Sequence, residues 1–409
     1  MAKFIALPVG QGDSFYLDRG NGTILVDGGK SKSALPDMFR RVTGKGSVDI
    51  LVCTHNDADH VNGVLGFLES ELRCGELWLP GRWLAVLPDV LVPLHTFVEN
   101  VSREMRLDAT IRSFDDLDKP ISIEEYAAKY EELDREIEPV ADGDMERDHN
   151  GLELGDDGWP SSVINHLESA QPWGTAGGLV WPFDLWPWID FFYDCPTAGR
   201  NLMTSFIDAA SRIREAAILA FHKGVTVRWF EHYPSVPSGG TLEVLLPANA
   251  RQLLRMWNRK ASVVEYISLS VANRESLVFW APPTKRMPGV LFTADSDLAK
   301  MSLPAGVENS LATAPHHGSE SNADAYDAVM NASGDGKSVT WIRSDGRFLK
   351  RPGDAYLMKT TKRFCTLCRI GTPPSSKPKQ AVRMFTSKGK WVRHKECHPC
   401  ACTPLTTST

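Results

Sequence analysis

The stretch HNDADH at residues 55–60 decides the fold, because it places four candidate metal ligands within six residues. It follows the apolar, β-branched run VDILVCT (48–54), which is typical of a buried strand. It precedes VNGVLGFLESEL (61–72), whose apolar residues recur at helical spacing. The sequence therefore predicts a polar turn between a core strand and a helix, where α/β folds build their sites.

The composition of this turn favours a divalent cation. Its candidate ligands are His55, Asp57, Asp59 and His60. Two imidazoles and two carboxylates this close together would repel each other, or lose solvation at a cost, without a cation between them. Such ligands suit zinc, manganese or iron. The alternative explanation for so short a motif is a solvated acidic loop.

The stretch resembles the signature of the metallo-β-lactamase superfamily, usually His-x-His-x-Asp-His, with Asp57 in place of the second His. With GQGD at 10–13, NRESLV at 273–278 and HHGS at 316–319, it resembles the branch that contains the hydrolase domain of ComEC, a DNA-uptake channel protein. The resemblance implies an α/β fold, the four-layer αββα sandwich, and hydrolysis by a water that two divalent metal ions activate. Zinc is the expected metal, with manganese or iron as alternatives.

The resemblance also implies roles for individual residues. One metal would be held by Asp59, His60, Asp295 and His317, and the other by His55, Asp57 and the bridging Asp295, with Asp297 as a near alternative. The residues expected to carry catalysis are Asp59, His55, His60 and His316, the last of which would face substrate. Asp27 would support the ligands by hydrogen bonds, whereas Gln11 and Asp13 either face the site or form a turn.

The usual histidine of the third superfamily motif has no obvious counterpart. The histidines available for it are His95, His149, His166, His222 and His232. None has a convincing sequence context, and a lone histidine is more often a surface or core residue than a ligand. One of the two metals is therefore expected to be bound weakly, or by water and substrate.

The distance between the motifs predicts a hydrolase domain over residues 1–355 with a large insertion at about 80–240. His60 and Asp295 are 235 positions apart (295 minus 60). Within this insertion, residues 115–157 hold 17 acidic and 4 basic side chains, and residues 159–193 hold five of the twelve tryptophans. These tryptophans either pack the insertion onto the core or form a stacking surface for bases. A protein partner could bind the same acidic, Trp-rich insertion.

The last segment, residues 356–409, predicts a basic, zinc-ribbon-like tail. Two Cys-x-x-Cys pairs, Cys365 with Cys368 and Cys397 with Cys400, predict one structural zinc. The alternative ligands in this segment are His394, His398 and Cys402. Residues 350–396 carry 13 Lys or Arg against Asp354 and Glu396, which is +11. Such charge suits a phosphate backbone, although the ribbon could equally well serve as a staple.

Composition and the N-terminal segment indicate where the protein is located in the cell. The chain is 42% hydrophobic and 23% charged and has no apolar run of 18 residues, so no membrane association is expected. The segment MAKFIALPVGQGDS lacks a signal-peptide pattern, which predicts a cytoplasmic protein.

Three functions fit the sequence. The first is a nuclease or phosphodiesterase acting on nucleic acid or nucleotides, which the basic tail favours. The second is hydrolysis of a small ester or phosphoester, since an acidic insertion should repel DNA. The third is a catalytically retired module that binds nucleic acid or a partner, against which the complete ligand set argues.

Overall fold

The computed structural model describes residues 1–107, 152–171, 197–256, 269, 276–299, 301–334, 338–344, 351–360, 362–368 and 380–402. The chain divides into two compact units. The first contains Met1–Gly81, Val225–Leu253 and Asn273–Thr409, and the second contains Arg82–Gly224 and Leu254–Ala272.

The described residues form seventeen strands and eight α-helices. The strands are β1 (Lys3–Ala6), β2 (Phe15–Asp18), β3 (Thr23–Val26), β4 (Ser47–Val52), β5 (Arg73–Pro80), β6 (Leu152–Glu153), β7 (Thr226–His232), β8 (Leu246–Pro247), β9 (Ala250–Gln252), β10 (Arg255–Met256), β11 (Phe279–Ala281), β12 (Val290–Phe292), β13 (Leu311–Thr313), β14 (Thr340–Arg343), β15 (Lys362–Cys365), β16 (Val382–Ser387) and β17 (Lys390–Arg393). The helices are α1 (Ala34–Thr43), α2 (Ala58–Glu69), α3 (Gly81–Val90), α4 (Leu94–Leu107), α5 (Ser161–Ser169), α6 (Thr197–His222), α7 (Ala323–Ala332) and α8 (Asp354–Lys359).

Two mixed sheets make up the first unit. The nine-stranded sheet has the order β17-β16-β1-β2-β3-β4-β5-β7-β9, and the six-stranded sheet has the order β15-β14-β13-β12-β11-β8. Strands β3, β4, β5 and β7 run parallel to one another, as do β12, β13, β14 and β15. Each sheet therefore contains four adjacent parallel strands, whose ends gather polar loops at one edge.

The inner faces of the two sheets share one apolar core. Phe4 and Phe15 of the first sheet lie 6.1 and 6.4 Å, between ring centroids, from Phe292 of the second. Trp78 of β5 similarly meets Phe279 of β11 at 5.5 Å. All five rings are buried, as expected where alternating apolar residues of two sheets interdigitate.

Helices cover the outer faces of both sheets. On the nine-stranded sheet, Phe39 of α1 packs edge-on against Tyr16, with ring centroids 5.7 Å apart. On the six-stranded sheet, Tyr326 of α7 lies 4.9 Å from Trp341. The order helix, sheet, sheet, helix confirms the four-layer αββα sandwich that the sequence predicts.

The start of α2 approaches the backbone after β3 so closely that only glycine fits. The amide of Gly63 donates to the Gly29 carbonyl at 2.8 Å, and the amide of Gly28 donates to the His60 carbonyl at 2.9 Å. A β-carbon on Gly63 would overlap the Gly28 carbonyl. This contact fixes the helix that carries Asp59 and His60 against the loop that carries Asp27.

We expect Gly63→Ala to lower the free energy of unfolding by about 1–3 kcal/mol, because the added methyl must push two backbone segments apart. Urea unfolding measures this change. Gly46→Ala is the matched control, since Gly46 is exposed with no atom near the added methyl, and should shift stability by less than about 0.5 kcal/mol. Equal stability of the two variants would contradict the close approach.

The described part of the predicted tail contributes strands to both sheets. Strand β15 extends the six-stranded sheet through β14, and β16 pairs with β1 in the nine-stranded sheet. The polar segment thus gains its structure by pairing with existing strands, and it needs no apolar core of its own.

The second unit is mainly helical. The buried guanidinium of Arg214 on α6 donates to the Val90 carbonyl at 2.7 Å and to the Gln171 carbonyl at 2.9 Å. Trp159 is buried against Phe221 with ring centroids 6.1 Å apart. This tryptophan therefore packs inside the second unit and is not part of an exposed stacking surface. The other four tryptophans of 159–193, and nearly all of the acidic stretch 115–157, lie outside the described residues.

Within the described ranges, no single helix is long and apolar enough to cross a membrane. Helices α3 and α4, bent by 111° at their junction, pass that test only as a pair, by length and composition.

Candidate functional site

Polar side chains from both sheets meet at the ends of their parallel strands. Asp27 follows β3, and the segment 55–60 follows β4 and begins α2. Asp295 follows β12, and His317 follows β13 in a short 3₁₀ turn, Pro315–Gly318. Because these strands end at the same edge, His60 and His317, 257 positions apart in sequence, become neighbours.

The first cluster is fully buried. Nε2 of His60 lies 3.1 Å from Nε2 of His317 and 3.1 Å from Oδ1 of Asp295. Nε2 of His317 lies 3.6 Å from the same Oδ1 and 3.4 Å from Oδ2 of Asp59. Asp13, His60, Asp295 and His317 present ligand atoms within 4.8 Å of one another. This group shares His60, Asp295 and His317 with the first predicted ligand set and has Asp13 in place of Asp59, whose partly exposed carboxylate lies beside His317.

Carboxylates hold the outer nitrogens of both histidines. Oδ2 of Asp27 lies 2.8 Å from Nδ1 of His60, and Oδ1 of Asp13 lies 3.0 Å from Nδ1 of His317. Each contact fixes its ring so that Nε2 points into the cluster, an arrangement common around metal-binding histidines. Gln11 donates from Nε2 to Oδ2 of Asp59 at 3.4 Å. All three supporting residues therefore face the site rather than only forming a turn.

The second cluster uses the other oxygen of Asp295. His55, Asp57 and Asp295 present ligand atoms within 4.8 Å of one another. Nε2 of His55 lies 3.7 Å from Oδ2 of Asp295 and 3.9 Å from Oδ2 of Asp57. Nδ1 of His55 lies 2.9 Å from the Thr54 hydroxyl. Asp295 thus sits between two groups of ligands, one at each carboxylate oxygen.

These spacings fit divalent cations. Tetrahedral ligands about 2.1 Å from a metal are roughly 3.4 Å apart, close to the 3.1–3.9 Å found in both clusters. Nε2 of His55 is buried and has no hydrogen-bond partner in the part of the chain that the structure describes. A buried, unsatisfied imidazole nitrogen is costly, and a cation beside it would remove that cost. The Asp/His groups therefore form a possible metal site.

The site's charges are strongly coupled. Burial opposes the charged form of His60, yet the carboxylates of Asp295 and Asp27 outweigh it and raise its pKa well above the usual value. Burial also opposes ionisation of Asp59, but its hydrogen bond to His317 lowers its pKa overall. Burial lowers the pKa of His55 to about 3, helped by the charge of His60. His55 is thus neutral, the form that binds metals.

The pKa values of the other three members of the first cluster, His317, Asp13 and Asp295, are shifted as well. Burial would lower the pKa of His317, but Asp13 and Asp295 raise it well above the usual value. Burial raises the pKa of Asp13 to about 6 against the opposing effect of His317. The pKa of Asp295 lies well below its usual range, because His60 and His317 outweigh the effect of burial.

The backbone around the site is strained. Four non-glycine residues here have positive φ: Asp27 (59°), Ala294 (47°), His316 (45°) and His317 (53°). Such conformations cost on the order of 1–3 kcal/mol each and persist where surrounding contacts enforce them. At this site they aim side chains at a common centre.

A separate group of four cysteines lies in the same unit. Sγ of Cys402 lies 3.9 Å from Sγ of Cys365 and 3.8 Å from Sγ of Cys368, and Cys400 completes the group. Four thiolates about 2.3 Å from one zinc are roughly 3.8 Å apart, so the spacing fits. Cys397 lies outside this cluster: its sulfur accepts a hydrogen bond from the Arg383 amide at 3.1 Å. The cluster thus contains Cys402 where the sequence predicts Cys397.

Strand pairing explains this replacement. The amide of Cys400 donates to the Arg363 carbonyl at 2.8 Å, and Phe364 and Pro399 form a β-bridge. These contacts lay residues 399–402 along β15, so Cys400 and Cys402 both reach Cys365. Hydrogen bonding among the thiols lowers the pKa of Cys368 to about 7, chiefly through Cys365, and also lowers that of Cys400. Thiolate, the form that binds metals, is therefore accessible here.

Sequence reasoning missed three residues that shape the site. Buried Arg343 donates from Nε to the His317 carbonyl at 2.5 Å. The Asn322 amide donates to the Asp295 carbonyl at 2.9 Å. Thr54 donates to both oxygens of Asp27. Of these, only Thr54 could have been found from the sequence, because it directly precedes the motif.

Asp297, the alternative to Asp295, is partly exposed, and its side chain accepts a hydrogen bond from the nearby Ala299 amide.

Residues 7–71 match the family model of the metallo-beta-lactamase superfamily, whose members are generally metal-dependent hydrolases. The matched segment contains the stretch 55–60 together with Gln11, Asp13 and Asp27. The αββα sandwich is consistent with the fold of that superfamily. No curated protein matches the chain.

Proposed function

We propose that this chain is a metal-dependent hydrolase that uses two divalent cations bridged by Asp295. The observation that carries the proposal is the position of this carboxylate. Its Oδ1 lies 3.1 Å from Nε2 of His60, and its Oδ2 lies 3.7 Å from Nε2 of His55. Two cations bound there would lower the pKa of a shared water and stabilise the negative charge that develops during hydrolysis.

The protein residues have separable roles in this proposal. His60, His317 and Asp59 would hold one cation, and His55 with Asp57 the other. Asp27 and Asp13 would keep the imidazole rings oriented, since Asp27 is hydrogen-bonded to Nδ1 of His60 and Asp13 lies at ion-pair distance from Nδ1 of His317. The burial of His60, Asp295 and His317 would also strengthen electrostatic interactions at the site.

The proposed substrate is a phosphodiester of nucleic acid or a nucleotide. The described residues 380–402 hold five basic side chains and Glu396, a net +4 (5 minus 1). Strand β17 within this segment forms an edge of the nine-stranded sheet. A basic sheet edge suits a phosphate backbone, and the resemblance to the ComEC branch supports the same class.

We also propose that Cys365, Cys368, Cys400 and Cys402 hold one structural zinc. Four sulfur ligands select zinc among the common structural metals, and they leave no position open for water or substrate. This site would join β15 to the segment that follows β17. Its role is therefore to tie together the edges of the two sheets, separately from the hydrolytic site.

A combined metal and substrate assay tests the hydrolase. We expect the purified full chain to cleave bis-p-nitrophenyl phosphate faster than p-nitrophenyl acetate. We also expect chelation to abolish cleavage and added Zn²⁺ or Mn²⁺ to restore it. Single-stranded DNA, double-stranded DNA, RNA and cyclic dinucleotides would define the natural class. Preference for the acetate ester would favour the small-ester alternative, and metal binding without turnover would favour a retired binding module.

A further inference from the structure

The second cluster lacks one protein ligand. His55, Asp57 and Asp295 supply three donor atoms; the histidine of the third superfamily motif would add a fourth, and a zinc that also binds the shared water can expand to five ligands. The histidines considered for the missing third motif do not fill the gap: His149 lies outside the described residues. The other four, His95, His166, His222 and His232, belong to no ligand cluster within the described ranges.

Two consecutive histidines reach the two oxygens of the same carboxylate. Nε2 of His317 lies 3.6 Å from Oδ1 of Asp295, and Nε2 of His316 lies 3.6 Å from Oδ2. Nε2 of His55 lies 3.7 Å from this same Oδ2. The second oxygen of Asp295 therefore has an imidazole from each sheet beside it.

We propose that His316 is the missing ligand of the second cation and replaces the histidine of the third superfamily motif. This inference deepens the proposed function and rests on it. It assigns His316 to the metal, whereas the sequence suggested contact with substrate. A ligand supplied by the residue next to His317 would let one loop complete both centres.

The surroundings of His316 prepare it for this role. Its Nδ1 lies 3.1 Å from Oδ1 of Asn322, which as an amide oxygen can only accept. This contact favours the tautomer with its hydrogen on Nδ1, which leaves the lone pair of Nε2 for a cation. Asn322 also donates to the Asp295 carbonyl at 2.9 Å. One side chain thus positions both the new ligand and the bridging residue.

The strained backbone supports the same assignment. His316 and His317 both adopt left-handed φ values, 45° and 53°, which turn two successive side chains toward one carboxylate. The amide of His316 donates to the Ala294 carbonyl at 2.9 Å, and Arg343 holds the carbonyl of His317. A residue that merely lined the pocket would not need this costly geometry.

Metal stoichiometry tests the proposal without relying on activity. The full chain is stripped of metal and titrated with Zn²⁺, and then with Co²⁺, whose visible absorption reports tetrahedral sites. We expect three cations per wild-type chain, two in the Asp/His site and one in the cysteine cluster. His316→Ala should bind the second Asp/His cation at least about 100-fold more weakly and retain the other two.

Two further variants sharpen the result. Asn322→Ala keeps the imidazole of His316 but removes the side chain that orients it. The affinity for the same cation should therefore fall by about 10–100-fold. This variant also tests the assignment if His316→Ala fails to fold. His222→Ala removes an exposed histidine at the end of α6 and should retain all three cations.

The outcomes separate this inference from the proposed function. A wild-type chain that binds no cation at the Asp/His site would overturn the hydrolase itself. A wild-type chain that binds two there, with unchanged affinities in both His316→Ala and Asn322→Ala, would overturn only the role of His316. Selective loss of the second cation supports it.

Discussion

Asp295→Asn should reduce phosphodiester hydrolysis by at least about 1,000-fold, which corresponds to about 4 kcal/mol of transition-state stabilisation. Asparagine has almost the same volume, but it carries no charge and offers one oxygen rather than two. The variant therefore cannot bridge two cations, and we expect it to retain at most one of them. Initial rates with bis-p-nitrophenyl phosphate, together with metal analysis of the same samples, measure both effects.

Asp297→Asn is the matched control for this experiment. It removes the same charge two residues along the chain, from a partly exposed side chain that accepts a hydrogen bond from the Ala299 amide at 2.8 Å. Its rate and metal content should match those of the wild type within about twofold, as expected of surface positions. The bridging assignment would be wrong if Asp297→Asn lost activity while Asp295→Asn kept it.

Cys402→Ser should release one zinc per chain and lower the free energy of unfolding by more than about 4 kcal/mol. Zinc binding contributes about 10–16 kcal/mol to the folding free energy of small zinc-finger peptides. The three thiolates left in the variant would retain part of this binding free energy. The effect should reach beyond the tail, because the cluster lies beside β15 and within the apolar layer that includes Trp341 and Tyr356. Zinc analysis and urea unfolding measure the two quantities.

Cys397→Ser distinguishes this cluster from the one that the sequence predicts. Cys397 is equally buried, but its sulfur accepts from the Arg383 amide and contacts no other cysteine sulfur in the described ranges. A serine oxygen can take over that hydrogen bond, so the variant should keep its zinc and lose about 1 kcal/mol or less. Loss of zinc from Cys397→Ser with retention in Cys402→Ser would instead support the two Cys-x-x-Cys pairs.

Sequence alone determined the part of the site that is local. The stretch 55–60 lies between an apolar strand and an amphipathic helix, and β4 and α2 form there as expected. Periodicity of two and of 3.6 residues is a local signal, so it also places Asp27 at the end of β3. The family match over residues 7–71 covers this same segment.

Tertiary structure decided which distant residues join this turn. Asp295 and His317 become neighbours of His60 only because β12 and β13 end at the same edge as β3 and β4. The role of Asp13 likewise depends on His317 reaching it, 304 positions away (317 minus 13). No spacing rule encodes such a contact, since loops of any length can bring the ends of two strands together.

The cysteines give the clearest case of this division. Their number and clustering predict a four-thiolate site, because such a grouping in a polar segment favours a metal. Their identity depends on strand register: once residues 399–402 lie along β15, Cys400 and Cys402 face the cluster and Cys397 turns toward Arg383. A Cys-x-x-Cys spacing identifies thiols that can reach one metal, whereas hydrogen bonds between strands select those that do.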